Sequence, residues 1–423
     1  MASFYIPLTG LDADSTALNT IANNLSNMNT TAFKSQSVNF SDLFYQQVGS
    51  TGAGDPIQVG AGTQVASIQT DFTNGSPTSN GISTDVALQG NGFFVVNHGG
   101  AQEFTRDGDF STSQNGNLVT QNGLELMGYP AVNGVVNTSA PLAAINIPVG
   151  AVEQPKATTT LSMPTNLDSN STTAFPAQVT VYDSLGTAHV ATVTYTETGT
   201  NTWSYSAALP AADFTTGVST PVTGTLNFDQ NGNLASVTPA GGALTPVGTG
   251  AGQISSIPLG FTGLADGAND LGIGWNLLGS NGTPNITQVD TASSVSTTTQ
   301  NGYASGQYQT FTIGSDGTVS AQFSNGQLLA VGQLALANVA NLQGLQLLGN
   351  GDYATTLASG SASVGVSGSA GLGTMEDGAL EASNVNISAE FSDLIIAQRA
   401  FEANSKAVTT FDTVTQETIN MIH

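Results

Sequence analysis

The sequence predicts a mainly β fold with α-helical termini, in which nested antiparallel β domains are carried on a coiled-coil-like pair of N- and C-terminal helices. Three observations support this prediction. Apolar residues recur at intervals of seven at both chain ends, short alternating strands with Asp/Asn-Gly turns fill the middle, and Gly- and Ser-rich stretches join the two kinds of sequence.

The N-terminal segment carries an apolar heptad pattern of the kind that lines a coiled-coil seam. Its members are Leu11, Leu18 and Leu25, with Ile21 and Met28 in the second position of the repeat. This spacing predicts a helix over about 7–28. Pro7 suits the first turn of that helix, where a backbone N–H has no intrahelical partner.

The C-terminal segment repeats the pattern over a longer span, and it predicts a helix from about residue 386 to the chain end. Asn384 or Ser388 is the expected cap. The stripe consists of Leu380, Ile387, Leu394, Phe401, Val408, Thr415 and Ile422, of which only Thr415 is polar.

A heptad stripe usually marks a helix packed on the core of its own domain. Here both stripes lie at chain ends, beside the Gly- and Ser-rich stretches 50–62 and 359–373, which are typical of linkers. Two interpretations therefore stay open: helices packed within their own chain, or a two-helix unit that finds partners on other molecules. In addition, an apolar stripe without a covering partner predicts that the chain ends are disordered in the isolated protein and become ordered on assembly.

The middle of the chain predicts antiparallel β hairpins. Residues 178–182 and 190–195 alternate between apolar and polar, and Asp183-Ser-Leu-Gly186 supplies the turn between them. Stretches near 148–164 and 283–300 delimit an inserted segment. We therefore expect four regions: 1–34 with 380–423, a terminal helical assembly domain; 35–75 with 359–379, a connecting region; 76–147 with 300–358, an inner β domain; and 148–299, an outer inserted β domain.

Composition excludes several classes of function. The 423 residues carry a formal net charge of −24 with only five Lys and Arg, so nucleic acid and anionic membrane surfaces are not expected partners. The absence of Cys excludes thiolate chemistry, and the three His are far apart in sequence. With neither a long apolar stretch nor a basic N-terminal region, we expect no transmembrane helix and no cleaved signal peptide.

Two local motifs raise the question of chemistry. Asp229-Gln-Asn-Gly-Asn233 has oxygen ligands at alternate positions, as calcium loops do, but the twelfth position is Ala240, so a hairpin turn is expected. Arg106-Asp-Gly-Asp109 is expected to be a turn with a surface ion pair. No motif for a nucleophile or a phosphate loop is present, so we predict no enzyme activity, no cofactor, and no catalytic or metal site.

Amide side chains cluster at the end of the predicted N-terminal helix, where four of the seven residues 23–29 are Asn. Asn is a mediocre helix former. Either the helix end frays and needs caps, or the amides hydrogen-bond to neighbouring helices in an assembly.

Both ends of the chain resemble the axial proteins of the bacterial flagellum, the rod and hook family. The N-terminal resemblance lies in Ala22-Asn-Asn-Leu-Ser-Asn and Thr31-Ala-Phe-Lys34, where Ala32 replaces a common Gly and should stiffen the turn. Further matching segments are 85–96, 104–110, 128–130, 378–386 and 397–404. Within the family the hook proteins fit best, because Thr180-Val-Tyr-Asp-Ser-Leu-Gly-Thr-Ala-His189 and Gln300-Asn-Gly-Tyr303 resemble hook motifs.

The resemblance implies a structural subunit that polymerises into a curved, flexible tube, couples rod to filament and transmits torque. It also implies export without a cleaved signal through the type III apparatus to the extracellular flagellum. The implied partners are further copies of the chain and the hook cap, distal rod and hook–filament junction proteins. The alternatives are a distal rod protein, or a secreted β-rich adhesin or carbohydrate-binding module, which would not explain heptads at both ends.

The predicted assembly interface combines the two apolar stripes with the amide cluster. A head-to-tail contact that does not close into a ring generates a helical filament, so one such surface suffices for a tube. Its residues are Leu11, Leu18, Ile21, Asn23, Asn24, Leu25, Asn27, Met28, Leu380, Ile387, Leu394, Phe401, Val408 and Ile422.

Overall fold

The computed structural model describes residues 2–50, 52 and 55–422. The chain divides into two compact units. The terminal unit comprises the described residues of Met1–Val149, Thr310–Gln322 and Leu328–His423, and the inserted unit comprises Gly150–Gln309 and Phe323–Gln327. Strands make up 45% of the chain and one helix lies at each end, so the predicted fold class is confirmed.

The two helices are α1 (Ala2–Ser26) and α2 (Ile387–Ile422). The predicted cap of α2 was wrong. Asn386 caps the helix, because its Oδ1 accepts hydrogen bonds from the backbone N–H groups of Ser388 (3.1 Å) and Ala389 (3.2 Å). No helix in the described part of the chain is long and apolar enough to cross a membrane.

The terminal unit is built on one antiparallel sheet with short satellite pairs. Its strands are β1 (Gln36–Asp42), β2 (Gln46–Ser50), β3 (Pro56–Val59), β4 (Thr63–Thr70), β5 (Pro77–Ser79), β6 (Val86–Gln89), β7 (Phe93–His98), β8 (Ala101–Thr105), β9 (Phe110–Thr112), β10 (Leu118–Thr120), β11 (Glu125–Val132), β12 (Val135–Val136), β13 (Ala143–Ala144), β30 (Leu328–Asn338), β31 (Gln346–Gly349), β32 (Asp352–Ala354), β33 (Ser363–Val366), β34 (Thr374–Asp377) and β35 (Ala379–Glu381). The central order is β30-β11-β7-β8-β32-β31.

The inserted unit contains a six-stranded sheet and two smaller ones. Its strands are β14 (Val152–Glu153), β15 (Thr160–Ser162), β16 (Thr165–Asp168), β17 (Phe175–Tyr182), β18 (Ala188–Gly199), β19 (Thr202–Ala208), β20 (Val222–Phe228), β21 (Leu234–Pro239), β22 (Thr245–Pro246), β23 (Ser256–Phe261), β24 (Leu271–Asn276), β25 (Ile286–Val289), β26 (Ser294–Val295) and β27 (Thr299–Gln300). The remaining strands, β28 (Gly306–Ile313) and β29 (Thr318–Phe323), are divided between the units.

The six-stranded sheet runs β17-β18-β19-β20-β21-β22, with each strand antiparallel to the next. Alternate residues of β19 are buried, which follows from the period of two along a strand. Trp275 is fully buried and meets the rings of Tyr195 and Tyr205 edge-on. Asp229 accepts backbone hydrogen bonds in the turn between β20 and β21, as the hairpin prediction requires.

Two features depart from the sequence-based expectations. The pairs β15–β24 and β16–β25 are parallel, although the sequence predicted antiparallel pairing throughout. The connecting region 359–379 is not an unpaired linker, because β33 pairs with β30 and β34 pairs with β6. Strand pairing in this stretch could not be predicted from the sequence, because its Ser and Gly residues show little hydrophobic alternation.

The turn after α1 holds Ala32 in a left-handed conformation, with φ of 54°. The residue is buried, and its N–H donates to the carbonyl oxygen of Glu381 at 2.8 Å. Left-handed backbone is unfavourable for a residue with a Cβ atom. The expected stiffening of this turn therefore comes with strain.

We predict that Ala32→Gly stabilises the terminal unit by about 1 kcal/mol, because glycine adopts positive φ without the Cβ clash. Denaturant unfolding followed by the helical circular dichroism signal measures the change. Ala22→Gly, on the exposed surface of α1, is the matched control and should destabilise by about 0.5–1 kcal/mol. Equal destabilisation by both substitutions would contradict the prediction.

Candidate assembly interface

A buried ion cluster joins the two chain ends where they leave the helices. Glu381, on β35, accepts a hydrogen bond from Lys34 Nζ at 2.6 Å and one from Arg106 Nε at 3.1 Å. The side chains of all three residues are at most 4% exposed. Two of the five Lys and Arg residues of the chain therefore neutralise one internal carboxylate.

The Arg106 guanidinium has an acceptor for each of its five N–H groups. Besides Glu381, these acceptors are the carbonyl oxygens of Gly90 (2.8 Å), Gly92 (2.7 Å) and Leu88 (3.1 Å), and Asn74 Oδ1 (2.6 Å). This arrangement fixes the backbone around β6 and β7 against β35. Full satisfaction of its donors is what allows a guanidinium to lie inside a protein.

Burial opposes the charge on both cations. It lowers the pKa of Lys34 and of Arg106 below their ordinary values, while the Glu381 carboxylate acts in the opposite direction. Removal of the carboxylate would leave two buried positive charges, which is far more costly than the loss of an exposed ion pair.

The prediction of a surface ion pair in Arg106-Asp-Gly-Asp109 was wrong. Arg106 is 4% exposed, and its carboxylate partner lies 275 residues away. Burial raises the pKa of Asp107 to about 6, against a backbone hydrogen bond from Asp109, and the carboxylates of Asp109 and Asp352 raise it further. Arg106 of this motif therefore neutralises the distant Glu381. The carboxylates of Asp107 and Asp109 in the same motif lie close enough to repel each other.

Asn384 adds a second tie between the chain ends. Its Oδ1 accepts from the N–H of Ser35 at 2.8 Å, and its Nδ2 donates to the carbonyl oxygens of Asp71 (2.8 Å) and Thr73 (3.1 Å). The start of α2 is thereby held beside the segment that follows α1. This role, rather than capping, accounts for the amide at position 384.

The helices α1 and α2 pack against each other in antiparallel orientation. Near the N-terminal half of α1, Asn404 Nδ2 donates to Asp14 Oδ2 at 2.8 Å, and a Cβ atom on Gly10 would lie 2.6 Å from the same Nδ2. Ala13 and Ala397 are buried. Small residues thus allow close approach of the two helices.

Asn24 is the only member of the predicted amide cluster that is fully buried, at 1% exposed. Its Oδ1 accepts from Gln36 N (3.0 Å), and its Nδ2 donates to Gln36 O (2.8 Å) and to Glu390 Oε1 (2.9 Å). One side chain therefore ties α1 to β1 and to α2.

Asn27 and Asn23 interact locally. Asn27 Nδ2 donates to the carbonyl oxygen of Asn23 at 2.9 Å, and Asn27 Oδ1 accepts from Thr30 Oγ1 at 3.1 Å. These bonds satisfy backbone and side-chain groups at the end of α1. Asn27 thus acts at the helix end, as the first interpretation expects, whereas the partners of Asn24 belong to its own chain. Hydrogen bonds from these amides to helices of other molecules stay a prediction.

Apart from Asn24, the described residues of the predicted interface are either half-buried or exposed. Those that are half-buried are Leu11, Leu18, Ile21, Leu25, Leu380, Leu394 and Val408, together with Asn27. Those that are exposed are Met28, Ile387 and Phe401, together with Asn23. The side chain of Ile422 lies outside the described residues. Leu380 is not on the helix at all, because it pairs with Thr78 in the β35–β5 ladder.

Helix α2 exposes more apolar surface than the heptad stripe predicts. Phe391, Ile395 and Ile396 are 53%, 58% and 66% exposed, and they lie beside the stripe rather than on it. With 36 residues, α2 is about 54 Å long. It exceeds the 25-residue α1 by about 16 Å, and every described residue from 409 to 421 is exposed.

The expectation that both chain ends are disordered in the isolated protein differs from the structure. Both helices are formed, and each covers part of the other. The hydrogen bonds of Asn24 and Asn404 and the small residues between the helices supply intrachain contacts that a heptad count does not reveal. The apolar surface that remains uncovered lies mainly on α2.

A groove of about 360 Å³ lies between α1, α2 and β1. Its walls include Ile21, Val38, Phe40 and Ile396, and Glu390 and Asp393 line it as well. Phe40 is 49% exposed. The two helices and β1 thus share a groove in which apolar side chains lie beside carboxylates.

Comparisons with known proteins agree along the chain. Family models match as follows: "Flagella basal body rod protein", residues 4–34; "Flagellar hook protein FlgE/F/G D1 domain", 87–162; "Flagellar basal body protein FlaE D2 domain", 146–303; and "Flagellar basal body rod FlgEFG protein C-terminal", 376–421.

Full-length relatives carry the same name. The flagellar hook protein FlgE of Salmonella typhimurium is 36% identical, covering 99% of this chain and 100% of the relative. That of Treponema pallidum is 34% identical, covering 100% and 99%. The crystal structure of Helicobacter pylori flagellar hook protein FlgE2 shares the fold, with a TM-score of 0.51 and 14% identity over 71% of this chain and 99% of that one.

The chain belongs to the flagellar hook protein family. It is a structural subunit of the bacterial flagellar hook and a component of the extracellular flagellum. The family implies polymerisation into the hook and contact with rod and filament proteins.

We predict that Glu381→Gln destabilises the terminal unit by about 3–5 kcal/mol, because two buried cations lose their counter-charge while the side-chain volume is kept. Denaturant unfolding followed by helical circular dichroism is the measurement. Glu402→Gln, which breaks the exposed Arg399–Glu402 pair, should change stability by less than about 1 kcal/mol. A comparable small change for Glu381→Gln would count against the buried cluster.

We also predict that Asn24→Ala destabilises the helix pair by about 1–3 kcal/mol, because the N–H and C=O of Gln36 lose their partners in a partly buried site. The adjacent Asn23→Ala is the control, and since Asn23 is exposed it should change stability by no more than about 0.5 kcal/mol. Hydrogen exchange along α1 and α2 would reveal the difference, and equal protection in both variants would refute the assigned role of Asn24.

Proposed function

We propose that this hook subunit polymerises through the uncovered surface of α1 and α2, so that each helix pair packs on the pairs of neighbouring copies around a tube. The observation that supports this most directly is the exposure of Phe391, Ile395 and Ile396 beside the face that α1 covers. A helix with apolar residues on more than one side needs more than one packing partner.

The hydrophobic effect favours this assembly. Full burial of one large aliphatic or aromatic side chain contributes about 1.5–3 kcal/mol. Exposed apolar residues on β1 and β4, Phe40 and Ile68, extend the surface beyond the helices. A contact between unlike faces of identical subunits that does not close generates a helical tube.

The predicted interface residues take different parts in this proposal. The exposed residues Ile387 and Phe401 contact neighbouring subunits, and the half-buried ones, such as Leu18 and Leu394, set the intrachain helix pair. Asn24 serves within the chain. Ile422, whose side chain is not described, is retained from the sequence-based prediction only.

Torque transmission requires that the helices cannot rotate freely against the β body of the same subunit. We propose that the Lys34–Arg106–Glu381 cluster and Asn384 provide this rigidity within the terminal unit. Both sit where the chain enters and leaves the helices. Flexibility of the tube then comes from sliding between β bodies of neighbouring subunits, favoured by few charged side chains at their surfaces.

We retain the predicted regions 1–34 with 380–423, 35–75 with 359–379, 76–147 with 300–358, and 148–299 as the functional division of the subunit. The first forms the inner tube, the second connects, and the β regions form the outer layers. Export proceeds through the type III apparatus without a cleaved signal, and the subunit has no enzyme activity. Its specific partners are the hook cap, distal rod and hook–filament junction proteins.

We predict that Ile396→Asp leaves the folded subunit intact but raises the critical concentration for polymerisation at least about tenfold, since a charge in an apolar contact costs more than 1.4 kcal/mol. Sedimentation and electron microscopy under polymerising conditions measure the effect. Thermal unfolding of the unpolymerised variant tests its fold.

Leu244→Asp is the matched control for this test, because Leu244 is 60% exposed and belongs to the inserted unit, which contains neither helix. It should polymerise as the unsubstituted chain does. Normal tubes formed by Ile396→Asp would show that this face of α2 is not an assembly surface.

A further inference from the structure

Three carboxylates surround a buried imidazole in the inserted unit. His189, on β18, is 5% exposed, and its two ring nitrogens face different aspartates. Nδ1 lies 2.9 Å from Asp213 Oδ2, and Nε2 lies 3.0 Å from Asp183 Oδ2. The carboxylate of Asp266 lies close to Asp183 and His189. One possible ligand atom from each of these three residues lies within 4.8 Å of the other two.

The environment of Asp183 directs one oxygen toward this point. Its Oδ1 accepts hydrogen bonds from the N–H groups of Leu185 (2.8 Å) and Thr187 (2.9 Å). Its Oδ2 is thereby left facing His189. In the same way Asp266 Oδ1 accepts from Ala268 N at 3.0 Å, so that this carboxylate is also oriented by its own loop.

Asp213 fixes the role of the imidazole. Both ring nitrogens lie at hydrogen-bond distance from a carboxylate oxygen, so a proton lies between Nε2 and Asp183 Oδ2 when no metal is bound. A metal ion would displace that proton from Nε2, while the carboxylate acceptor Asp213 keeps the hydrogen on Nδ1. Metal-ligating histidines commonly donate their second ring N–H to a carboxylate, which orients the ring and raises its basicity. The Asp213–His189 contact has this geometry.

Further hydrogen bonds, two between backbone groups and one to the Ser184 hydroxyl, hold the contributing segments together. Ala265 N donates to Asp213 O at 2.9 Å, Thr215 N donates to Gly263 O at 3.0 Å, and Asn269 N donates to Ser184 Oγ at 2.9 Å. Three separate segments, the β17–β18 turn, the residues after β19 and the β23–β24 loop, are therefore prearranged around His189.

Two carboxylates that face one point repel each other unless a cation or a shared proton lies between them. An imidazole nitrogen with two carboxylate oxygens is a mixed nitrogen and oxygen set, which suits a divalent first-row transition metal better than calcium or magnesium, whose ligands are oxygens. Asp266 is exposed, so water has access to complete the coordination.

We propose that Asp183, His189 and Asp266 form a binding site for a divalent transition metal ion of the zinc class, with Asp213 as the residue that positions His189. The ion cross-links the β17–β18 turn to the β23–β24 loop and stabilises the inserted unit. The site lies entirely within that unit and does not depend on the assembly mechanism.

The test uses the full chain after treatment with chelator, with ZnCl₂ as the probe. Both tryptophans of the protein, Trp203 and Trp275, lie in the inserted unit, so their fluorescence during heating reports its unfolding. We expect zinc to raise the unfolding temperature of the unsubstituted protein and calorimetric titration to show one site. Asp266→Asn should weaken zinc binding at least about tenfold, and Asp213→Asn by about 10–100-fold.

Matched controls separate this site from adventitious binding. His98→Gln removes an exposed histidine of the terminal unit, and Asp290→Asn removes an exposed carboxylate elsewhere in the inserted unit. Both variants should bind zinc as the unsubstituted chain does. His189→Gln should abolish binding, and the exposed position of Asp266 makes Asp266→Asn the decisive variant should the buried substitution unfold. The proposal is overturned if zinc leaves the unfolding temperature unchanged, or if Asp266→Asn binds zinc with unaltered affinity.

Discussion

The neutralisation of Glu381 by Lys34 and Arg106 is the interaction on which the rest of the terminal unit depends. It places the segment after α1, the strands around β6 and β7, and the strand before α2 in one dry cluster. Removal of any one of these charged groups would leave its partners buried without that counter-charge, which strongly destabilises the folded state. The helices therefore leave the β body from one fixed point, and this fixes their relative placement.

Sequence patterns correctly predicted those elements that depend on interactions between residues close in sequence. The spacing of Leu11, Leu18 and Leu25 identified α1, and the alternation in 178–195 identified the β17–β18 hairpin, because helix and strand periods are written in neighbouring residues. The hook family was likewise readable from motifs at both ends. Leu380 kept the heptad spacing by coincidence and lies on a strand, which shows that a periodic position does not by itself extend a helix.

Long-range pairing could not be predicted from the sequence. The partner of Arg106 is 275 residues away, and the nearby Asp107 and Asp109 were the more obvious candidates. The one available signal was the small number of cations. The chain has five Lys and Arg residues, and two of them, Lys34 and Arg106, fall within family motifs. His189 gave no metal-ligand spacing because its aspartate neighbours come from three separate segments.

The strand order also governs when each unit can be completed. In the inserted unit, β15 pairs with β24 and β27, and β16 pairs with β25 and β26, while in the terminal unit β5 pairs with β35. The early strands therefore cannot pair until the late strands are present. Strand pairings between residues so far apart in sequence form slowly. Neither unit can therefore complete its sheets until the strands late in its sequence are present, so a truncated chain would leave β5 and β15 without their partners.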